Sequence, residues 1–310
     1  MTTAQVPSKI TPSLDLVKKR SPFVKTLGVI LDVFKQDRLA LMGGIIYAVF
    51  ILVALFAPLI APFGELEVIQ DDVGIWLANE KPGPIFRLGT TNLGRDIFSQ
   101  LVYGSRTALL VGFSAAIAVA LLGTLVGLTA GYFGGWIETV LMRLTDIAFG
   151  IPFLPLIIVL VAFLKPSIWN VVLAMAGLLW RDTGRVIRAQ VLIVKEKAFV
   201  RAARVSGASD LRIMFLYVAP SILPLTFLYG SMAIGWAILT EASVSFLGFG
   251  DPEVVSWGYM LQDAFVSQAM SRGALYWIVP PGVCIMLSVM AGFFIGRGFE
   301  EVLFPHLRRH

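Results

Sequence analysis

The sequence predicts an all-α protein that sits in a membrane and crosses it six times. Three observations predict this. Hydrophobic residues make up 57% of the 310 residues and charged residues 15%, with a mean hydropathy of +0.82, which leaves too little polar surface for a soluble globule. Apolar stretches with few or no charges recur along the chain, each long enough for a helix to cross a hydrocarbon core of roughly 30 Å. Lys and Arg are also shared unevenly between the connections, as membrane topology requires.

Residues 1–38 read as a polar cytoplasmic tail carrying Lys9, Lys18, Lys19, Arg20, Lys25, Lys35 and Arg38. Their sparse apolar content does not repay the entropy of folding alone, although a short interfacial helix is expected at 23–34. Residues 39–63 contain no charge and form the first span, too long for the apolar segment of a signal peptide. An outer loop follows at 64–106, with Glu65, Glu67, Asp71, Asp72, Glu80 and Asp96. Within it Ile97, Phe98, Leu101 and Val102 make an apolar stripe on a helix expected at 92–104, lying at the outer interface as a platform for a docking partner or as a cap over the bundle.

The core, 107–310, holds five further spans, expected at 107–133, 137–164, 168–187, 214–246 and 273–296. Gly123, Gly127 and Gly131 stand four residues apart, as do Gly292 and Gly296, the spacing that lets helix backbones approach closely inside a bilayer. Pro152, Pro155, Pro220, Pro224, Pro280 and Pro281 are expected to kink or begin helices.

Six spans place both termini on one side. Of the 25 Lys and Arg, only Lys81, Arg87, Arg95, Arg106, Lys165 and Arg272 fall in the opposite connections. The termini and the basic segment at 195–224 therefore face the cytoplasm. Ionisable residues are rare at membrane depth, where each is costly without a partner or a wet cavity. Arg143 and Asp146 read as an ion pair near the start of the third span, and Arg181 with Asp182 as an interfacial pair near the cytoplasmic end of the fourth. Glu241 stands near the outer end of the fifth, either lining a pathway or bonded to Ser243 or Ser245.

Resident chemistry is not legible. There is no Gly-Lys dipeptide and so no phosphate-cradling loop, and Gly248 and Gly250 lack the third glycine of a dinucleotide fingerprint. His306 and His310 are the only histidines and both lie in the last five residues, so no Ser-His-Asp set can form within the bundle. The lone cysteine, Cys284, excludes an intrachain disulfide and a thiolate metal cluster. The chain reads as non-catalytic, with no cofactor or metal of its own, and its positive charge is a matter of topology and not of nucleic acid.

The segment at 195–224 stands out. Lys197, Arg201 and Arg204 fall at i, i+4 and i+7, one cationic stripe on a helix. Ala198, Phe199, Val200, Ala202, Ala203 and Val205 fill the other faces, and Gly207 is placed to end the helix in the left-handed region. From these residues alone the segment is either a topology-obeying connection or a docking helix.

AARVSGAS, with Pro220 further on, resembles the Glu-Ala-Ala cytoplasmic loop of ABC importer permeases. Ala202, Ala203, Gly207 and Pro220 match that loop, while Arg201 replaces its Glu, Tyr217 its Ile and Ala219 its Leu. From about Leu88 to Arg308 the chain is similar to the dipeptide/oligopeptide/nickel family, and to the second, shorter permease of its non-identical pair. LGTTNLGRDIFSQLVYGSRTAL, AGYFGGWIETVLMRLTDI, EASVSFLGFG and SWGYML carry the likeness. One departure is Arg181 and Asp182 after Trp180, where the family often has Pro-Gly; another is Phe293, Gly296 and Arg297 in place of its Asn and Gly-Asp pattern.

The resemblance implies a type I ABC importer permease fold, forming half of a pathway with a homologous permease in the cell membrane. It further implies two ATP-binding subunits inside, holding ATP and Mg, and a substrate-binding protein outside. The ATPase-coupling residues it implies are Glu196, Lys197, Phe199, Arg201, Ala202, Ala203, Arg204, Gly207, Ala208 and Ser209. Glu241, Ser243, Ser245 and Trp257 are candidates for the translocation path. The cargo expected is a di- or oligopeptide, with oligosaccharides and nickel chelates as alternatives within the family. A stand-alone channel or secondary transporter is the rival reading, but no internal repeat supports it.

Overall fold

Helix α1 (Arg38–Leu55) begins at Asp37, whose carboxylate accepts a 2.9 Å hydrogen bond from the Leu39 N–H. This computed structural model describes residues 33–35 and 37–303, so the interfacial helix expected at 23–34 lies almost wholly outside them. α1 stops at Phe56, and Pro58 opens a separate turn of helix at Ala57–Ile60. The proline has no N–H for the Ala54 carbonyl and its ring crowds that oxygen. Arg106 Nε supplies the missing donor, at 2.7 Å.

The loop at 64–96 contains no helix and is folded on itself by backbone bonds, among them Ile69 N–H to Gly94 O and Asn79 N–H to Thr91 O, both 2.9 Å. It leads into α2 (Ile97–Phe133), capped by Asp96, which accepts bonds from the Ser99 N–H and hydroxyl. The interfacial helix expected at 92–104 is not a separate element. Its apolar stripe is the first part of α2, with Ile97 and Val102 buried inside the bundle. Nothing between residues 104 and 107 breaks the helix, and Gly104 survives there because a Cβ would stand 2.7 Å from the Trp257 ring. At 37 residues α2 is about 55 Å long and extends well beyond the hydrocarbon core.

The third span, expected at 137–164, is broken into α3 (Gly135–Gly150) and α4 (Phe153–Leu164), bent by 91°. Pro152 disfavours the helical region for Ile151, which is extended at φ −99°, ψ 131°. Next come α5 (Ile168–Val194), the short α6 (Ala198–Val205) and α7 (Asp210–Phe246). α7 widens to a π-helical turn at Met214–Val218, just ahead of Pro220 and Pro224, which cannot donate to a regular α-turn. α8 (Trp257–Val266) is capped by Ser256, and α9 (Leu275–Leu303) continues through Pro280 and Pro281.

Among the described residues α1, α2, α7 and α9 are long and apolar enough to cross a membrane, and α3 with α4 makes five if the bent pair counts as one span. The sixth expected span is α5. It is long, but Arg181, Asp182, Arg185 and Arg188 set it apart from the others in composition.

Close backbone approach holds the bundle together, as the glycine spacing predicts. A Cβ on Gly123, Gly127 or Gly131 of α2 would meet α5 at 2.6 Å from Thr183 Cβ, 2.5 Å from Gly184 O and 2.8 Å from Val191 Cβ respectively. Gly292 of α9 lies in the same way against Ser231 O of α7, and Gly43 of α1 against Ala291 O of α9. In lipid, where apolar burial gives no net drive between helices, such contacts decide the packing. The faces left outside are apolar, as on α1, where Leu41, Ile45, Val49 and Leu52 are exposed.

Candidate functional site

α6 lies at the end of the bundle where α2, α5 and α9 finish and α1 and α7 begin. It is too short to be stable alone and is held by its surroundings. Val200 is fully buried in a cluster with Leu128, Ile187, Val191, Val194, Ile213 and Val218, while Ala203 and Ala208 pack at its edge. Lys197 occupies the N-cap position without a side-chain cap bond. At the other end Gly207 has φ +78°, the Gly207 N–H bonds Arg204 O at 3.0 Å, and the Ala208 N–H bonds Ala203 O at 3.1 Å. This pair of bonds is a Schellman closure, and the left-handed glycine is what permits it.

Two ties fix the segment to α2. Lys195 Nζ donates to Gly131 O at 2.9 Å, next to the negative end of the α2 dipole, and Tyr132 Oη donates to Asp210 Oδ1 at 2.7 Å. The face turned away from the bundle is open. Glu196, Lys197, Phe199, Arg201, Ala202, Arg204, Gly207 and Ser209 are all exposed, so the cationic stripe forms as its spacing predicts. The two motif alanines divide, Ala203 seating the helix and Ala202 facing outward. Beside Ala202 stand Phe199 and Val205, exposed by 44% and 90%. Val205 is absent from the coupling residues expected from the sequence. Phe199, Ala202 and Val205 follow one another at three-residue steps, and that spacing is the signal that places it there.

The path candidates lie at the opposite end. Glu241 is buried and accepts a 2.6 Å hydrogen bond from Ser245 Oγ, one helical turn on. Trp257 is buried too, with its Nε1–H on Leu101 O at 3.0 Å and its ring 5.3 Å from that of Phe50. Ser243 is half-buried, donates to Leu239 O at 2.8 Å, and borders a groove of about 450 Å³ with Phe246, Leu261 and Ile285. Ser245, Glu241 and Trp257 thus sit within the chain's own packing, and Ser243 at its margin.

Of the two charge pairs expected from the sequence, Arg181 and Asp182 do stand as an ion pair, 3.7 Å apart, and the other does not form. Asp146 bonds Arg185 of α5 at 2.7 Å rather than Arg143, and Glu138 takes Arg188. Arg181 and Asp182 are not near the end of their helix. Arg181 is the midpoint of α5, and Gly123 of α2 lies against the preceding carbonyl, Trp180 O.

Comparison with known proteins places these features in a family. Residues 123–309 match the family described as binding-protein-dependent transport system inner membrane component. Residues 27–82 match the N-terminal TM domain of oligopeptide transport permease C. The dipeptide transport system permease protein DppC of Alkalihalophilus pseudofirmus is 36% identical over 277 residues, 88% of each chain. The glutathione transport system permease protein GsiD of Pectobacterium atrosepticum is 32% identical over 276 residues, 89% of each. The oligopeptide transport system permease protein OppC of Bacillus subtilis is 31% identical over 279 residues, covering 89% of this chain and 88% of that one.

Proposed function

Because the chain belongs to the family of binding-protein-dependent transport system inner membrane components, we propose that it is one of two permeases in an ATP-driven importer of di- or oligopeptides. The single observation that carries the coupling role is α6, a helix anchored by one buried side chain and two ties, with a mixed apolar and cationic face left open. Such a helix transmits force if a partner grips it, since packed interfaces switch between discrete arrangements instead of deforming continuously.

In this reading two ATP-hydrolysing subunits dock on the cytoplasmic side. Phe199, Ala202 and Val205 enter an apolar groove of the ATPase, and Lys197, Arg201 and Arg204 meet an acidic rim. Ala203, Gly207, Ala208 and Ser209 hold the helix at the correct pose, and Glu196 borders it. A homologous permease completes the pathway, with Ser243 at its margin and the Glu241–Ser245 and Trp257 contacts bracing the wall. A binding protein delivers cargo on the outer side, and both termini are cytoplasmic. The peptide cargo follows from the names of the relatives.

The test is reconstitution with the cognate ATPases, second permease and binding protein. ATP-dependent uptake of a labelled dipeptide is expected in proteoliposomes. Charge reversal at Lys197, Arg201 and Arg204 together is expected to reduce ATPase copurification and uptake at least about tenfold. Uptake at full rate without nucleotide would overturn the importer reading, and unchanged recruitment would reduce the stripe to a topology signal.

A further inference from the structure

Halfway along α5 two opposite charges, Arg181 and Asp182, stand side by side. Both line a cavity of about 360 Å³ between α2, α4, α5 and α7, whose other walls include Val119, Phe153, Tyr229 and Trp236. A mostly apolar chamber of a few hundred Å³ with a small number of polar groups is the usual form of a small-molecule site.

Arg181 is positioned with its neighbouring carboxylate at ion-pair distance but without a hydrogen bond to it. Its guanidinium donates to Ala148 O and lies 4.6 Å from the Phe149 ring centroid and 5.8 Å from that of Phe153. Its side chain is 11% exposed and Nε is buried without a hydrogen-bond partner. Asp182 Oδ2 stands 3.7 Å from that nitrogen, too far for a hydrogen bond, and the Asp182 side chain is 57% exposed. The next arginines on α5 behave otherwise: Arg185 and Arg188 close on the α3 carboxylates of Asp146 and Glu138. An arginine kept only to balance charge would close in the same way.

We propose that this cavity is a transit site for a zwitterionic solute, with Arg181 receiving a carboxylate and Asp182 an ammonium group. The proposal rests on the importer reading and adds to it a place within the permease where a free peptide is recognised by its two ends. The Phe149 and Phe153 rings and the Ala148 carbonyl hold the guanidinium in place in advance, which suits hydrogen bonding to a carboxylate. The apolar walls accept side chains of differing shape.

The test uses the assembled transporter in lipid nanodiscs, without binding protein, titrated by calorimetry with alanyl-phenylalanine and with its C-terminal amide. Saturable binding of the free dipeptide is expected, weakened at least about tenfold by Arg181→Gln and by Asp182→Asn. The amide is expected to bind wild type and Arg181→Gln alike, because it lacks the carboxylate. Arg181→Lys keeps the charge and guards against mistaking a folding defect for lost binding. The exchanged pair Arg181→Asp with Asp182→Arg is expected to stay weak, since the Phe149 and Phe153 rings lie beside a guanidinium at position 181 and not at 182. Absence of saturable binding, wild-type affinity in both single variants, or recovery in the exchanged pair would overturn the site, the last by revealing a structural ion pair. Uptake in proteoliposomes separates the two readings: a complex that imports dipeptide yet fails the titration loses this site and keeps its function.

Discussion

Tyr132, one residue from the end of α2, donates a 2.7 Å hydrogen bond from its hydroxyl to Asp210 Oδ1 at the first residue of α7. Together with the Lys195 bond to Gly131 O, it brackets α6 between two fixed points, so that a pull on α6 reaches α2 and α7 together.

Removing that hydroxyl should loosen α6 without unpacking it. Tyr132→Phe keeps the ring and loses about 0.5–1.5 kcal/mol. Amide exchange across α6 should quicken roughly two- to tenfold, with little change at the opposite end of the bundle. Unchanged exchange would mean that Val200 and the Lys195 bond to Gly131 anchor the helix without it.

Gly207 sits at φ +78° with open space around its missing side chain, so the cost of a substitution there is conformational and not steric. Gly207→Ala should cost about 1–2 kcal/mol locally, and Gly207→Asn less, because Asn tolerates the left-handed region. ATPase copurification should fall in the order Gly, Asn, Ala. Equal recruitment by all three would show that the Schellman closure does not set the pose of α6.

The α2–α5 seam should distinguish two glycines. A Cβ on Gly127 would stand 2.5 Å from Gly184 O, a backbone atom that cannot turn aside, whereas one on Gly177 meets nothing within 4 Å. Gly127→Ala is expected to destabilise by about 1–3 kcal/mol. Gly177→Ala is expected to be neutral or stabilising by up to about 1 kcal/mol. Thermal unfolding in detergent reads both.

Asp263 of α8 is held above the ordinary carboxylate range by burial, with the Arg95 cation opposing the shift. Its Oδ2 is buried without a partner. A raised pKa in the folded state means that the fold carries no penalty below the unfolded value, about 3.9, and acquires one as pH rises and the buried carboxyl must ionise. Asp263→Asn should therefore raise the unfolding temperature at neutral pH, with the gain shrinking as pH falls toward 4. A gain that does not depend on pH would point to packing instead.

Much of the architecture is legible in the chain. Apolar runs locate α1, α2, α7 and α9, the i+4 glycines mark the α2–α5 seam, and the basic stripe with Gly207 outlines α6, because each of these signals is carried by residues close together in sequence. The pairings across the bundle are not legible in that way. Arg143 is the sequence neighbour of Asp146, yet Arg185 is its partner in space.

The sequence by itself determined a helical membrane protein with a short basic helix closed by Gly207, since composition and periodicity report locally on what a stretch of chain can become. Only the tertiary structure decided that the helix expected at 92–104 is the head of α2, buried against Trp257, and that Ala203 packs at the edge of the core while Ala202 is exposed. It alone brought Arg181 and Asp182 to a cavity at mid-helix. Those outcomes depend on which helices become neighbours and at what height, and that is settled by close packing among segments far apart in the chain.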